Sequence, residues 1–342
     1  MVSSAQQRAL IGEQWLPFLS RRSLAGANWW AQQLNGITNE TWLLTRADDD
    51  RLDDAYVLRH YRRTSGDDEL IFELAALRYL AAQGFPVPRV VDALDGPGFD
   101  HVDGRPAVLF EFVPGTVGES LDDTGSRDLA GGIVAAGLLA RMHLVSRQQT
   151  FDGSRVERGD PLVRLTRWMS RDGSDPEFLD VPGATDLLAR ILHLIEGLTA
   201  ALDSSSDPWV GLVHGDVAPN NLVLDPSGQV AALLDFDDCM FSYVLYDLCS
   251  ILWAWGRSSS GHIDPQRVGQ LVDAYTAVRQ LPDEERRLLP DMFAAYMAAD
   301  GVDRLTWWWR GEGRPRPVSD STAARAFLEL VDSPQIRSSL TR

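Results

Sequence analysis

Strand-like and helical patterns of apolar residues are unevenly distributed along this chain. Near the N-terminus the turn signal Asn35-Gly36 precedes the apolar segment Thr41-Trp42-Leu43-Leu44, and Tyr56-Val57-Leu58-Arg59 opens a second strand after a charged turn. This is a hairpin pattern. Residues 68–91 carry apolar side chains at helical spacing, stop at Gly84, and pass Pro86 and Pro88 into a predicted strand. Ala107 to Val113 reads as an apolar strand closed by the Pro114-Gly115 turn. Leu129 to Leu144 reads as an apolar helix interrupted by Arg141, too short to span a bilayer. Val213 to Asp238 reads as loop, strand, a turn at Pro226-Ser227-Gly228, and strand. From Met240 to Trp309 the pattern predicts a run of helices, one of them starting at Leu281-Pro282-Asp283-Glu284-Glu285. Three Ser/Gly/Asp-rich stretches, at 170–175, 203–207 and 257–261, read as surface loops.

Composition narrows the class. The 342 residues exceed one average domain, and a hydrophobic content of 44% supports a sizeable core. The first residues lack a basic stretch followed by an apolar core, which predicts no secretory signal and a cytoplasmic protein. The formal charge of −17 argues against nucleic acid as a partner and favours cationic ones. Cys239 and Cys249 are the only cysteines and lack the short paired spacings of zinc sites, so both are expected reduced and buried. All 32 basic residues are arginine, which excludes the Gly-Lys-Ser/Thr phosphate loop.

The segment Val213 to Asp238 carries the chemistry. Asp216 follows His214-Gly215, Asn221 comes five positions later, and Asp235 ends the apolar run Ala231-Ala232-Leu233-Leu234. A hairpin of this kind is expected to gather the three side chains although nineteen positions separate the two aspartates. Magnesium takes hard oxygen ligands, so one carboxylate and one amide oxygen suffice when phosphates and water complete its shell. Asp235 and Asn221 suit that role. A separate carboxylate is needed to accept or orient the proton of an attacking hydroxyl, and Asp216 suits that one. His214 and His143 are expected to be hydrogen-bonding residues of the interior rather than proton carriers.

His214-Gly215-Asp216-Val217-Ala218-Pro219-Asn220-Asn221 followed by Leu233-Leu234-Asp235-Phe236-Asp237-Asp238 resembles the paired signatures of the aminoglycoside phosphotransferase and homoserine kinase-like superfamily. Gly215, where protein kinases carry arginine, and Asp237, where they carry glycine, favour this small-molecule branch. The resemblance implies an α+β, two-lobed protein kinase-like fold. It implies a nucleotide-binding lobe over 1–113, with an antiparallel sheet and one helix, and a larger, mostly helical catalytic and acceptor-binding lobe over 114–342. It implies ATP as phosphoryl donor with Mg2+. The polar residues after Asn35-Gly36, Asn39 among them, would cover the phosphates. Main-chain groups at Glu111 and Val113 would meet adenine. Glu73 stands where the family keeps the acid that pairs with its phosphate-binding lysine. Arg59 stands in that lysine's place, and arginine's larger planar fork makes the exchange a real change.

The acceptor is expected to be a hydroxyl on a small, cationic, amine-bearing metabolite. The order Leu245-Tyr246-Asp247-Leu248, a tryptophan-bearing helix, then Tyr275 and a Leu-Pro break is similar to the homoserine kinase-like branch, with Asp247 holding the catalytic loop. Asp237 departs from it, because homoserine kinases carry an aromatic there. Asp238, Asp300 and Asp303 are the candidates to hold a substrate ammonium, the last two being three apart on one helix face. Most of the tryptophans at 253, 255 and 307–309 are expected to pack rather than bind. Two other readings share the motifs: an aminoglycoside-type resistance phosphotransferase, and an inactive nucleotide-binding pseudokinase resting on the Arg59 departure.

Overall fold

A computed structural model describes residues 8–34, 39–48, 52, 54–62, 66–96, 98–118, 128–153, 160–205 and 209–341. The predicted turn at Asn35-Gly36 lies outside them. In chain order the elements begin with strand β1 (Ala9–Leu10), helix α1 (Leu16–Ser20), β2 (Trp29–Gln33), β3 (Glu40–Arg46), β4 (Tyr56–His60) and α2 (Asp67–Ala82). Next come β5 (Phe99–Val102), β6 (Arg105–Glu111), β7 (Thr116–Val117), α3 (Leu129–Val145), α4 (Pro161–Arg171), α5 (Pro176–Leu179) and α6 (Ala184–Ser204). The strands β8 (Val210–Val213), β9 (Leu222–Leu224), β10 (Val230–Leu233) and β11 (Met240–Tyr243) precede α7 (Leu245–Trp255), α8 (Pro265–Val278), α9 (Asp283–Thr306), α10 (Thr322–Asp332) and α11 (Pro334–Leu340).

Several helix starts are written locally in the sequence. Asp160-Pro161, Asp175-Pro176, Asp264-Pro265 and Ser333-Pro334 each open a helix, with the cap's side-chain oxygen accepting a backbone N–H two or three residues on. The oxygen satisfies a donor that the helix cannot, and proline supplies a preset φ where no N–H is needed. Each such cap contributes about 1 kcal/mol.

The chain divides into two compact units. The first comprises the described residues of 1–118, 150–155 and 220–237, the second those of 119–149, 156–219 and 238–342. In the first, six strands form an antiparallel sheet in the order β1-β2-β3-β4-β6-β5. Trp15, Phe18, Trp29, Leu44, Leu58 and Leu109 form a buried cluster in this unit. The helix α2 buries Leu70, Leu74, Leu77 and Leu80, and Phe151 packs edge-on against its Phe72 and Tyr79. A smaller sheet, β10-β9-β7, completes the unit.

In the second unit α9 packs against α4, α6, α7 and α10, while α3 packs against α8. The α9 face is rich in small buried residues, Ala294, Ala295, Ala298, Ala299 and Gly301, which let neighbouring helices come close. At Gly301 a Cβ would sit 2.8 Å from the backbone nitrogen of Ala324 on α10, so glycine sets that spacing. The antiparallel sheet and mostly helical remainder make the chain an α+β protein.

Two elements differ from the sequence pattern. Met240–Tyr243, read as the start of the helical run, is strand β11, paired with β8 through Met240↔Val213 and Tyr243↔Val210. Its side chains alternate between buried and half-buried, the period of a strand. The strand expected after Pro88 is reduced to a bridge between Val90 and Phe110. Prolines at 86 and 88 donate no backbone hydrogen bond, so pairing is confined to Val91 N–H to Leu109 and Glu111 N–H to Arg89. Among the described residues no helix is long and apolar enough to cross a membrane. Cys239 and Cys249 are both buried.

Candidate active site

In the first unit the β9–β10 hairpin fixes Asn221 and Asp235. The register pairs Leu222 with Leu233, and Leu234 N–H donates to the Asn221 carbonyl at 2.7 Å, so both residues lie at the same end of the hairpin. Asn221 is buried, and Asp235 has a backbone φ of +67°, a left-handed conformation that aspartate tolerates better than most residues. Such strain is concentrated at functional positions because packing must enforce it. A ready-made cage of three or more His, Cys, Asp or Glu side chains is absent among the described residues. One carboxylate beside one amide is nevertheless a donor set that fits magnesium, which needs few protein ligands.

Arg59, on β4, faces this end of the hairpin. Its Nη1 lies 2.5 Å from Asp237 Oδ1 and 3.1 Å from Asp235 Oδ1. Burial by itself would weaken the cation, but the Asp237 carboxylate, with Asp235 and Glu73 nearby, raises its pKa well above the ordinary arginine value. Asn39 Nδ2 donates to the other oxygen of Asp237, and Asn39 Oδ1 accepts the Arg62 N–H at 3.1 Å. Glu73 is buried on α2 and accepts the Tyr61 hydroxyl at 2.8 Å. Burial and then Glu73 push the Tyr61 pKa well above the ordinary range, so Tyr61 is the donor. Glu111 ends β6, and its N–H is donated to Arg89; Val113 follows two residues later, half-buried.

Asp216 belongs to the second unit, and the chain crosses to the first at Asn220. The turn before Asp216 is anchored by Asp247 on α7. Asp247 is buried, its Oδ2 accepting the His214 N–H at 2.7 Å and its Oδ1 the Gly215 N–H at 2.8 Å. His214 Nδ1 in turn accepts the Asp216 N–H at 3.2 Å. Gly215 has φ +89°, and a Cβ there would stand 2.7 Å from the Asp238 carbonyl oxygen, so only glycine fits this turn.

Behind Asp247 lies a buried polar chain. His143 Nε2 is 3.1 Å from Asp247 Oδ2, and His143 Nδ1 is 2.7 Å from the Tyr275 hydroxyl. Burial lowers the His143 pKa, so the ring is neutral. A carboxylate only accepts, which makes Nε2 the protonated nitrogen and Nδ1 the acceptor of the Tyr275 O–H. Burial raises the Tyr275 pKa, consistent with a hydroxyl that keeps its proton.

The three acidic candidates for the acceptor separate. Asp303 forms an ion pair with Arg164 of α4. Asp238 is exposed, in the short turn after Phe236. Asp300 has access to water, yet the protein packed around it raises its carboxyl pKa despite Arg164, Arg304 and Arg257. Tyr296, one helical turn before it, is electrostatically coupled to both Asp300 and Asp216, and burial holds its hydroxyl protonated. Of the tryptophans at 253, 255 and 307–309, Trp255, Trp308 and Trp309 are buried, and Trp307 is half exposed.

Sequence reasoning passed over Tyr61 and Tyr296. The first was findable from alternation along β4, which puts residues 59 and 61 on one face, and the second from its i, i+4 spacing to Asp300.

A family model described as "Phosphotransferase enzyme family" matches residues 30–286. The homoserine kinase of Gluconobacter oxydans is 26% identical over 273 residues, covering 80% of each chain. A microcompartment-associated aminopropanol kinase has the same fold, with a TM-score of 0.58 at 23% identity, covering 92% of this chain and 94% of that one. An aminoglycoside phosphotransferase from Alicyclobacillus acidocaldarius gives a TM-score of 0.62 at 17% identity, covering 99% and 97%.

Proposed function

Because the chain belongs to the phosphotransferase enzyme family and is an ATP-dependent small-molecule kinase, we propose that it phosphorylates a hydroxyl of a small, cationic amino alcohol of the homoserine type in the cytoplasm. The observation that carries this reading is the Asp247-anchored turn that presents Asp216, together with the hairpin that sets Asn221 beside the strained Asp235. In the reaction the bond from the γ-phosphorus of ATP to its bridging oxygen breaks, the acceptor oxygen bonds to that phosphorus, and the hydroxyl proton passes to Asp216. Asn221 and Asp235 would hold Mg2+, which would supply neutralisation of phosphate charge. Arg59 adds a fixed cation for the phosphates, Asn39 and Glu73 brace the groups around it, and main-chain groups of Glu111 and Val113 bind the base. The formal charge of −17 makes nucleic acid an unsuitable partner.

Asp235→Asn is expected to weaken ATP binding in the presence of magnesium by about tenfold or more, with little change in its absence. Calorimetric titrations with and without the metal test this; equal losses in both would remove Asp235 as a ligand.

Asp300 is the acid proposed to hold the acceptor's ammonium group. Its carboxyl pKa is raised by the protein packed around it, so on acidification it takes up a proton at a higher pH than an ordinary aspartate. The acceptor KM should therefore rise as pH falls, starting above the usual carboxylate range. Asp300→Asn is expected to raise that KM about tenfold and to flatten its pH dependence, measured by steady-state kinetics between about pH 5 and 8. A variant that keeps the wild-type KM profile excludes the role.

The acceptor itself is tested by incubating the protein with ATP or GTP and magnesium against homoserine, other amino alcohols, choline-like amines and aminoglycosides. Mass spectrometry reads the phosphate adduct. An adduct on amino alcohols supports the proposal, and adducts on aminoglycosides alone reassign the protein to the resistance-type reading.

A further inference from the structure

Arg59 lies on β4 and Asp237 just beyond β10, 178 positions later in the chain. The two are each other's partners. Arg59 Nη1 is 2.5 Å from Asp237 Oδ1, and the second oxygen of Asp237 accepts from Asn39, so β4 and the start of β3 hold this carboxylate from two sides. The same Nη1 lies 3.1 Å from Asp235, the longer of the two contacts. Glu73 meanwhile accepts from Tyr61.

An ammonium is compact and its charge is easily turned toward a phosphate. A guanidinium is long, planar and permanently charged, and wherever it rests it presents a full positive charge. Without Asp237 that charge would fall on Asp235, where a fixed monocation competes with a divalent metal for the same oxygens. We infer that Asp237 is a positioning residue whose ion pair takes the shorter contact of the Arg59 guanidinium, weakens its hold on Asp235 and so leaves that carboxylate able to bind magnesium. The aspartate at 237 thus keeps the Arg59 charge from settling fully on the metal-binding carboxylate. This rests on the assignment of Asp235 as a magnesium ligand.

The test is calorimetric ATP binding to the full chain over a series of magnesium concentrations. Asp237→Asn is expected to raise the magnesium concentration for half-maximal ATP binding about tenfold, the order expected when one charge partner of a partly buried pair is removed. Arg59→Met combined with Asp237→Asn is expected to return that concentration to within about twofold of the wild type, although ATP affinity at saturating magnesium falls because the cation is gone. Asp237→Glu, which keeps the charge, should recover most of the wild-type magnesium response. A purely structural role would impair the single and double variants alike. The inference is overturned if Asp237→Asn binds ATP with wild-type magnesium demand, if the double variant stays as magnesium-hungry as the single one, or if the glutamate variant behaves like the asparagine variant. Wild-type protein that binds ATP at no magnesium concentration would instead overturn the kinase reading from which the inference starts.

Discussion

Asp216→Asn is expected to lower turnover by roughly a hundred- to ten-thousand-fold while ATP affinity stays within about twofold of the wild type. The asparagine keeps the volume of the side chain and its N–H bond to His214 Nδ1, so the turn is preserved. What is lost is the group proposed to take or orient the hydroxyl proton. In a loose transition state that loss acts on the chemical step and not on nucleotide binding. Single-turnover phosphotransfer alongside calorimetric ATP binding separates the two. Unchanged turnover would take Asp216 out of the mechanism, and a parallel loss of ATP affinity would make its role structural.

Asp247→Asn should produce the second-largest effect, and on both stability and turnover. Asp247 accepts from His214 N–H, Gly215 N–H and the protonated Nε2 of His143 with two oxygens. An asparagine oxygen placed at Oδ2 still serves His214 and His143, but its NH2 then points at the Gly215 N–H. Two donors face each other in a site closed to water, which costs about 2 kcal/mol. Because the affected donor belongs to Gly215, held at φ +89°, the turn carrying Asp216 loses its anchor. Denaturant unfolding should show the stability loss, and turnover should fall about ten- to a hundredfold at a little-changed ATP affinity. Stability lost without any change in turnover would mean that Asp247 supports the helices and not the loop.

What was legible in the sequence is what is local in the chain. The helix at 67–82 follows from apolar spacing and the stop at Gly84, the helix at 129–145 from its apolar run, and the turn at 226–228 joins β9 and β10 as the residues demand. The hairpin's placement of Asn221 opposite Leu234 follows from the same local pattern. Pairings between distant segments were not legible. Met240–Tyr243 is apolar enough for a helix, and only the presence of Val210–Val213 some thirty residues earlier in the chain makes it a strand. Asp300 and Asp303 look equivalent from one helix, and Arg164 on α4 distinguishes them by pairing with Asp303. The ion pair of Arg59 with Asp237 spans 178 positions. The sequence shows both residues, but only the fold shows that they are partners.

The proposed reaction moves the γ-phosphoryl group of ATP to an acceptor hydroxyl. Phosphorus NMR of a mixture of the protein, magnesium, ATP and homoserine or a related amino alcohol tests it most directly. A growing phosphate-monoester resonance that matches the loss of the γ-phosphate signal, and that is absent with Asp216→Asn, is the result expected. Release of inorganic phosphate alone with every amino alcohol, or a spectrum that does not change, would contradict it.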